Sequence, residues 1–299
     1  MIGKIFRKFS NDWKKTFQSL ENLFPAWFRR LFLLCEAMVA TLGLLAAWYW
    51  RPVTTEYRID TAQGGEPIRL ALVADLHSGR FGKNQTGLIR RLEAIHPDAV
   101  LLGGDIFDDR IPDGNTLAFL DAASARWPCY YVSGNHEYWS RRIDQMKAAV
   151  RARGIPVLEG DCIPFECRGR TITLCGIDDP TWMPRADWLR QLDAAQASAA
   201  AHPDRTHILL THRPEKALDY ANRNFDLVLA GHAHGGQMAL PLLLPDGLYA
   251  PNQGWFPECT IGLHPLPDGT PLLVTRGLAQ RPRIPRWGNH PEILAIDLR

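Results

Sequence analysis

Seven apolar runs of strand length, most of them bounded by turn residues, set the strongest limit on how this 299-residue chain folds. They are IRLALVAD (68–75), DAVLLGGD (98–105), CYYVSGNH (129–136), TITLCGID (171–178), THILLTH (206–212), DLVLAGH (226–232) and PLLVTRG (271–277). Runs this short read as β-strands, and unbroken apolarity marks strands buried on both faces. Helix-like segments lie between several of them, at Gln85 to Ile95, Ser140 to Arg153 and Arg185 to Ala201. Strands alternating with helices predict a layered α/β fold. No internal repeat or low-complexity tract interrupts the pattern.

Polar residues gather where these runs end. Asp75 and His77, Asp105, Asn135 and His136, His212, and His232 with His234 all fall at or just after a carboxyl end. Open α/β sheets bind ligands outside those ends, so residues far apart in sequence are expected to meet in one crevice. Imidazole, carboxylate and an Asn carbonyl, with no thiolate, suit Mn, Fe or Zn. Asp75, His77, Asp105, Asn135, His212, His232 and His234 over-supply one ion, and two ions sharing a carboxylate use them all. Such a pair, about 3.5 to 4 Å apart, activates a bridging water and clamps a phosphoryl group. In LAGHAHGGQ the two histidines can then reach different ions, and the glycines allow the tight bend. Singly, each motif has an ordinary structural reading: GGDIFDD as a turn with solvated acids, GNHE as a turn opening a helix, GHAHGG as idle surface histidines. His96, His202, His207, His264 and His290 lack the strand-end placement and read as structural.

The ordered set DLH, GGDIFDD, GNHE, TH and GHAH resembles the calcineurin-like metallophosphoesterase superfamily over residues 68–299. GHAHGGQ and the late TRGL, PRW and PEI look like its membrane-associated or exported bacterial phosphodiesterase branch. The resemblance implies a four-layer α-β-β-α sandwich, with Asp75, His77, Asp105 and His234 around one ion. Asp105, Asn135, His212 and His232 would surround the other. It also implies that His136 protonates the leaving oxygen, with Asp108 as its orienting partner, while hydroxide held by the ions attacks phosphorus. Phosphodiesters or pyrophosphates are the implied substrates, among them a lipid-linked nucleotide such as UDP-2,3-diacylglucosamine. A metal-binding membrane scaffold without turnover is the alternative, and it would have no need of His136. Arg276, Arg283 and Arg286 are candidates to pair with phosphate, and Trp182, Met183, Trp255, Phe256 and Trp287 to form an apolar rim; solvated loops and core packing are the plain readings.

The other end of the chain carries a different message. Residues 1–30 hold seven basic and two acidic residues, leaving +5 there and −3 on the rest of a chain with net charge +2. An acidic body argues against nucleic-acid binding through a broad basic face. Apolar residues at steps of three and four among the lysines predict a basic amphipathic segment over 1–30. Residues 31–50 are about long enough to cross a bilayer, with Glu36 near one end and Trp48, Tyr49 and Trp50 as an interfacial belt. Residues 51–67 read as a linker and 68–299 as the catalytic domain. More basic charge before the span than after it, and RRLFL (29–33), favour a bacterial inner-membrane protein with a periplasmic catalytic domain. Docking on the cytoplasmic face is the rival. The six cysteines read mainly as buried thiols; Cys162, Cys167 and Cys175 are close enough in sequence to pair if the domain is exported.

Overall fold

The computed structural model of the chain describes residues 30–39, 41, 51–239, 243–279 and 286–299. The expected amphipathic segment, apart from Arg30, and half of the expected span lie outside these residues, as does Arg283. The chain divides into two compact units, Met1–Arg51 and Pro52–Arg299. In the first, residues 30–39 are helical and almost all exposed. Among the described residues no helix is long and apolar enough to cross a membrane.

The second unit runs β1 (Val53–Ile59), β2 (Ile68–Val73), α1 (Thr86–Ile95), β3 (Ala99–Gly103), α2 (Gly114–Ser124), β4 (Cys129–Val132), α3 (Asn135–Trp139) and α4 (Ile143–Arg151). It continues with β5 (Cys162–Cys167), β6 (Arg170–Gly176), α5 (Arg185–Ala200), β7 (Thr206–Leu210), α6 (Ala217–Tyr220) and β8 (Leu227–Ala230). A two-stranded ribbon, β9 (Tyr249–Ala250) with β10 (Gly254–Trp255), precedes β11 (Gly262–Pro265), β12 (Pro271–Val274) and β13 (Glu292–Leu298). One sheet has the order β1-β13-β2-β3-β4, the other β11-β12-β8-β7-β6-β5. Strands β2, β3 and β4 are parallel, as are β6, β7, β8 and β12.

Side chains alternate across these strands and so feed two cores each. Leu70, Leu72 and Leu101 of one sheet meet Leu174, Ile208 and Leu229 of the other in a dry layer between the sheets. Ala71, Val73, Val100 and Leu102 face the opposite way, where Leu88, Ile89, Leu92 and Ile95 put one stripe of α1 against them. On the outer face of the second sheet Leu209, Val228 and Ala230 meet Trp188, Leu192, Ala195 and Ala199 of α5, again one helical face. The result is helix, sheet, sheet, helix.

All seven apolar runs form strands, and the three helix-like segments form helices with ends trimmed by up to three residues. The linker reading of 51–67 is corrected over Val53–Ile59, which is strand β1, paired in parallel with β13, while residues 60–67 form a connection without helix or strand. Its alternating burial marks an edge strand with one wet face, which lacks the apolar run of a central strand. Val53 pairs with Glu292, and β13 runs antiparallel to β2 with Leu294 opposite Leu72. The first residue of β1 therefore stands level with Ala74, at the carboxyl end of β2. Of the cysteines, Cys129 is buried as a thiol, whereas Cys162 and Cys175, opposite each other in β5 and β6, form a disulfide.

Candidate metal centre

Each functional side chain is carried by the turn that leaves a strand. Asp75 follows β2, Asp105 follows β3, Asn135 and His136 open α3 just after β4, His212 follows β7, and His232 and His234 follow β8. Several of these turns hold backbone in the left-handed region, with φ of 54° at Asp75, 50° at Asp105 and 66° at His232. Such strain is retained where surrounding structure over-determines it, commonly at functional sites. Gly134 shows how tight the fit is: a Cβ there would run into Oδ1 of Asp105.

The structure brings all seven expected ligands, and His136 and Asp108, to one place. Asp75, His77 and His234 form one group able to hold a cation, and Asp105, His212 and His232 another. Asp105 stands centrally: its Oδ2 lies 3.2 Å from Nε2 of His212, 3.7 Å from Nε2 of His77 and 4.0 Å from Nε2 of His136. Its Oδ1 accepts the backbone N–H of His136 at 2.8 Å. Asp75 Oδ1 is 3.2 Å from Nε2 of His234, and the carboxylate accepts the His232 backbone N–H.

The donor set fits divalent cations on its own terms. His212 donates Nδ1–H to the Gly103 carbonyl at 2.8 Å, which orients the ring and turns Nε2 toward the carboxylates, the nitrogen that would ligate once a cation displaces its proton. That Nε2 and the side-chain oxygen of Asn135 are both buried without a hydrogen-bond partner. Buried polar atoms are ordinarily paired, and a cation would complete both. Electrostatics agree. Burial opposes charge on His212, yet Asp105 and Asp75 hold its imidazole up at about 10. Burial, helped by Arg286, pushes His234 down to about 4, so its ring is a neutral donor. The carboxylates thus demand positive charge between them while other imidazoles stay available.

Asp108 takes a different place from the one expected. Nδ1 of His136 is 2.7 Å from Oδ1 of Asp109 and 3.5 Å from Oδ2 of Asp108. The reason is local: Oδ1 of Asp108 caps the loop by accepting the N–H groups of Arg110 and Ile111 at 2.8 Å each. Its Oδ2 faces Nδ1 of His77 at 3.3 Å. Although burial opposes it, these contacts draw the Asp108 carboxyl down to about 2. Asp109 is therefore the nearer partner of His136, and Asp108 steadies His77.

Further side chains surround the cluster. Glu137 is fully buried and accepts four backbone N–H groups, from Asp105, Ile106, Phe107 and Gly134, tying two ligand loops together. Its place three residues after Gly134, the N-cap of α3, is the spacing of a capping box, the one signal that marked it. Arg213 is buried, pairs with Asp179, and stands with Asn252 beside Nε2 of His232. Arg276 is turned to Glu292 and Thr55, and Arg286 donates to the Arg276 carbonyl.

A cleft of about 530 Å³ opens over the cluster, lined on its apolar walls by Ile111, Trp139, Tyr249 and Pro251. The ring of Trp139 lies 4.7 Å from that of His136. Trp182, Trp255, Phe256 and Trp287 are exposed, and Met183 packs against the α5 core; none of the five lines the cleft.

Residues 68–236 match the family model described as Calcineurin-like phosphoesterase. An uncharacterized metallophosphoesterase of Campylobacter jejuni is 28% identical over 213 residues, covering 70% of this chain and 53% of its own length. A bovine protein named "Transmembrane protein with metallophosphoesterase domain" is 26% identical over 285 residues, covering 90% of this chain and 62% of its own. The chain thus spans between half and two thirds of these relatives. Among solved structures, Haemophilus influenzae NAD nucleotidase aligns with a TM-score of 0.48 and 20% identity, over 71% of this chain and 46% of that one.

Proposed function

Because this chain belongs to the calcineurin-like phosphoesterase family, which uses two divalent metals, we propose that it hydrolyses phosphodiester or pyrophosphate bonds at the strand-end cluster. The observation that carries the reading is Asp105, set between two groups of ligands and within 4.0 Å of three imidazoles. Asp75, His77 and His234 with Asp105 would hold one ion; Asn135, His212 and His232 with Asp105 would hold the other. When bound, the ions supply an activated water and offset charge on the phosphoryl oxygens. His136 faces the same cleft. Held at Nδ1 by Asp109, it keeps Nε2 free to give a proton to the leaving oxygen. The apolar walls exclude water from one side of the reacting group and leave room for a substrate larger than phosphate alone.

Purified protein supplied with manganese is expected to hydrolyse bis-p-nitrophenyl phosphate, to lose that activity in a chelator and to regain it when manganese is restored. Wild type that under these conditions cleaves neither this diester nor a dinucleoside diphosphate would refute the reading.

We further place the enzyme at a membrane, with the catalytic domain on the oxidising side. The apolar stretch over 31–50 and the name of the bovine relative support the first part. The Cys162–Cys175 disulfide supports the second, since disulfides persist outside the cytosol. A lipid-linked nucleotide such as UDP-2,3-diacylglucosamine would suit an anchored enzyme but has its diphosphate on the cytoplasmic leaflet. A reporter fused after Arg299 separates the two: activity of one that works only in an oxidising compartment is expected, and activity confined to a cytoplasmic reporter would move the domain inside.

A further inference from the structure

The cleft carries one cationic side chain that the chemistry above leaves unused. Arg80 lines it, and among the described residues that do so it is the only lysine or arginine. Its side chain is exposed, and it has no carboxylate partner among the described residues. A surface arginine is ordinarily just solvated; the backbone beneath this one is built differently. Gln85 is buried, and its amide grips the chain on both sides of Arg80: Oε1 accepts the Phe81 N–H at 2.7 Å, and Nε2 donates to the Gly79 carbonyl at 2.7 Å. The same Nε2 donates to the Asn115 carbonyl at 3.1 Å, fastening the loop to α2. Two more backbone bonds close it, Gly79 N–H to Leu76 and Gly87 N–H to Phe81, at 2.8 Å each. Turning Gln85 inward requires left-handed backbone at Asn84 and Gln85, with φ of 50° and 58°. Non-glycine residues enter that region at a cost, and the bonds of Gln85 hold the backbone on both sides of Arg80 in one conformation at the cleft.

We propose that Arg80 binds a second anionic phosphoryl group of the substrate, making diphosphate esters the preferred class over diesters of a single phosphate. This rests on the phosphoesterase reading and adds a subsite to it. The guanidinium is permanently charged and presents paired N–H donors that match phosphoryl oxygens. In a cleft of about 530 Å³, a phosphoryl group at the metal ligands leaves space for a neighbouring one and for the organic group beyond it, against Trp139 and Tyr249.

The test compares full-length protein loaded with manganese on two substrates, diadenosine diphosphate and bis-p-nitrophenyl phosphate. Arg80→Ala is expected to lower kcat/KM on the diphosphate by about 30- to 100-fold, mainly through KM, the loss typical of a charge-assisted hydrogen bond. Its loss on the single-phosphate diester should be at least about tenfold smaller, and Arg80→Lys should recover part of the difference because it keeps the charge without the paired donors. In a binding measurement, methylenediphosphonate should outcompete inorganic phosphate on wild type and lose that advantage in Arg80→Ala. Equal losses on both substrates, or none on the diphosphate, overturn the proposal. Wild type that cleaves only the single-phosphate diester overturns it as well and leaves the phosphoesterase reading standing. Wild type that cleaves neither substrate removes both.

Discussion

Replacing Asp105 with asparagine is expected to lower the bound metal from two equivalents to one or fewer and to reduce kcat/KM by at least about a thousandfold. The change keeps the size of the side chain and removes one charge. That charge matters twice, because Oδ2 of Asp105 faces His212 on one side and His77 on the other. Cation chemistry at a phosphoryl centre is worth several kcal/mol, and each 1.36 kcal/mol is a factor of ten in rate. Metal analysis and steady-state kinetics on the same preparation check it. Two ions retained with activity within tenfold of wild type would show that Asp105 bridges nothing.

A second large loss should follow from His136→Ala, with a different signature. Here both metal ions are expected to stay, since Asn135 beside it is the proposed ligand, while kcat falls by about a hundred- to ten-thousandfold on a diester with an alkyl or nucleoside leaving group. On a p-nitrophenyl ester the loss should be much smaller, because p-nitrophenolate departs without needing a proton. Asp109→Asn should show a weaker form of the same dependence on leaving group, as it acts through the His136 ring at 2.7 Å. A variant lacking His136 that cleaves alkyl diesters at the wild-type rate would assign proton delivery elsewhere.

The strands that carry the site were legible because they lie in the middle of their sheets. Burial on both faces writes an unbroken apolar run, and the first polar residue after such a run marks the carboxyl end where ligands collect. Asp75, Asp105, His212 and His232 could be found that way. Edge strands write no such signal. β1, with VTTEYRI and alternate residues exposed, read as linker, although it completes a sheet with the distant β13. Loop chemistry was harder still. In GGDIFDD two acids stand side by side, and which one meets His136 depends on a turn in which Asp108 has already spent one oxygen on the amides of Arg110 and Ile111. Gln85 gave no warning, since a glutamine before a helix usually faces water and its partners here are backbone groups supplied by Gly79, Phe81 and Asn115. The disulfide became readable only with the register of β5 on β6, which sets Cys162 opposite Cys175 and leaves Cys167 facing Arg170.

The position of Val53 has a consequence for reach. Strand β1 begins level with Ala74 and lies two strand spacings from β2, so the chain enters this unit about 10 Å from the start of the ligand loop at Asp75. Had β1 run the other way, its seven residues would have moved that entry point roughly 20 Å along the strand, to the far end of the sheet from the cleft. The strand that opens this unit and the loops that carry the ligands therefore share one end of the sheet, although some twenty residues of chain separate them.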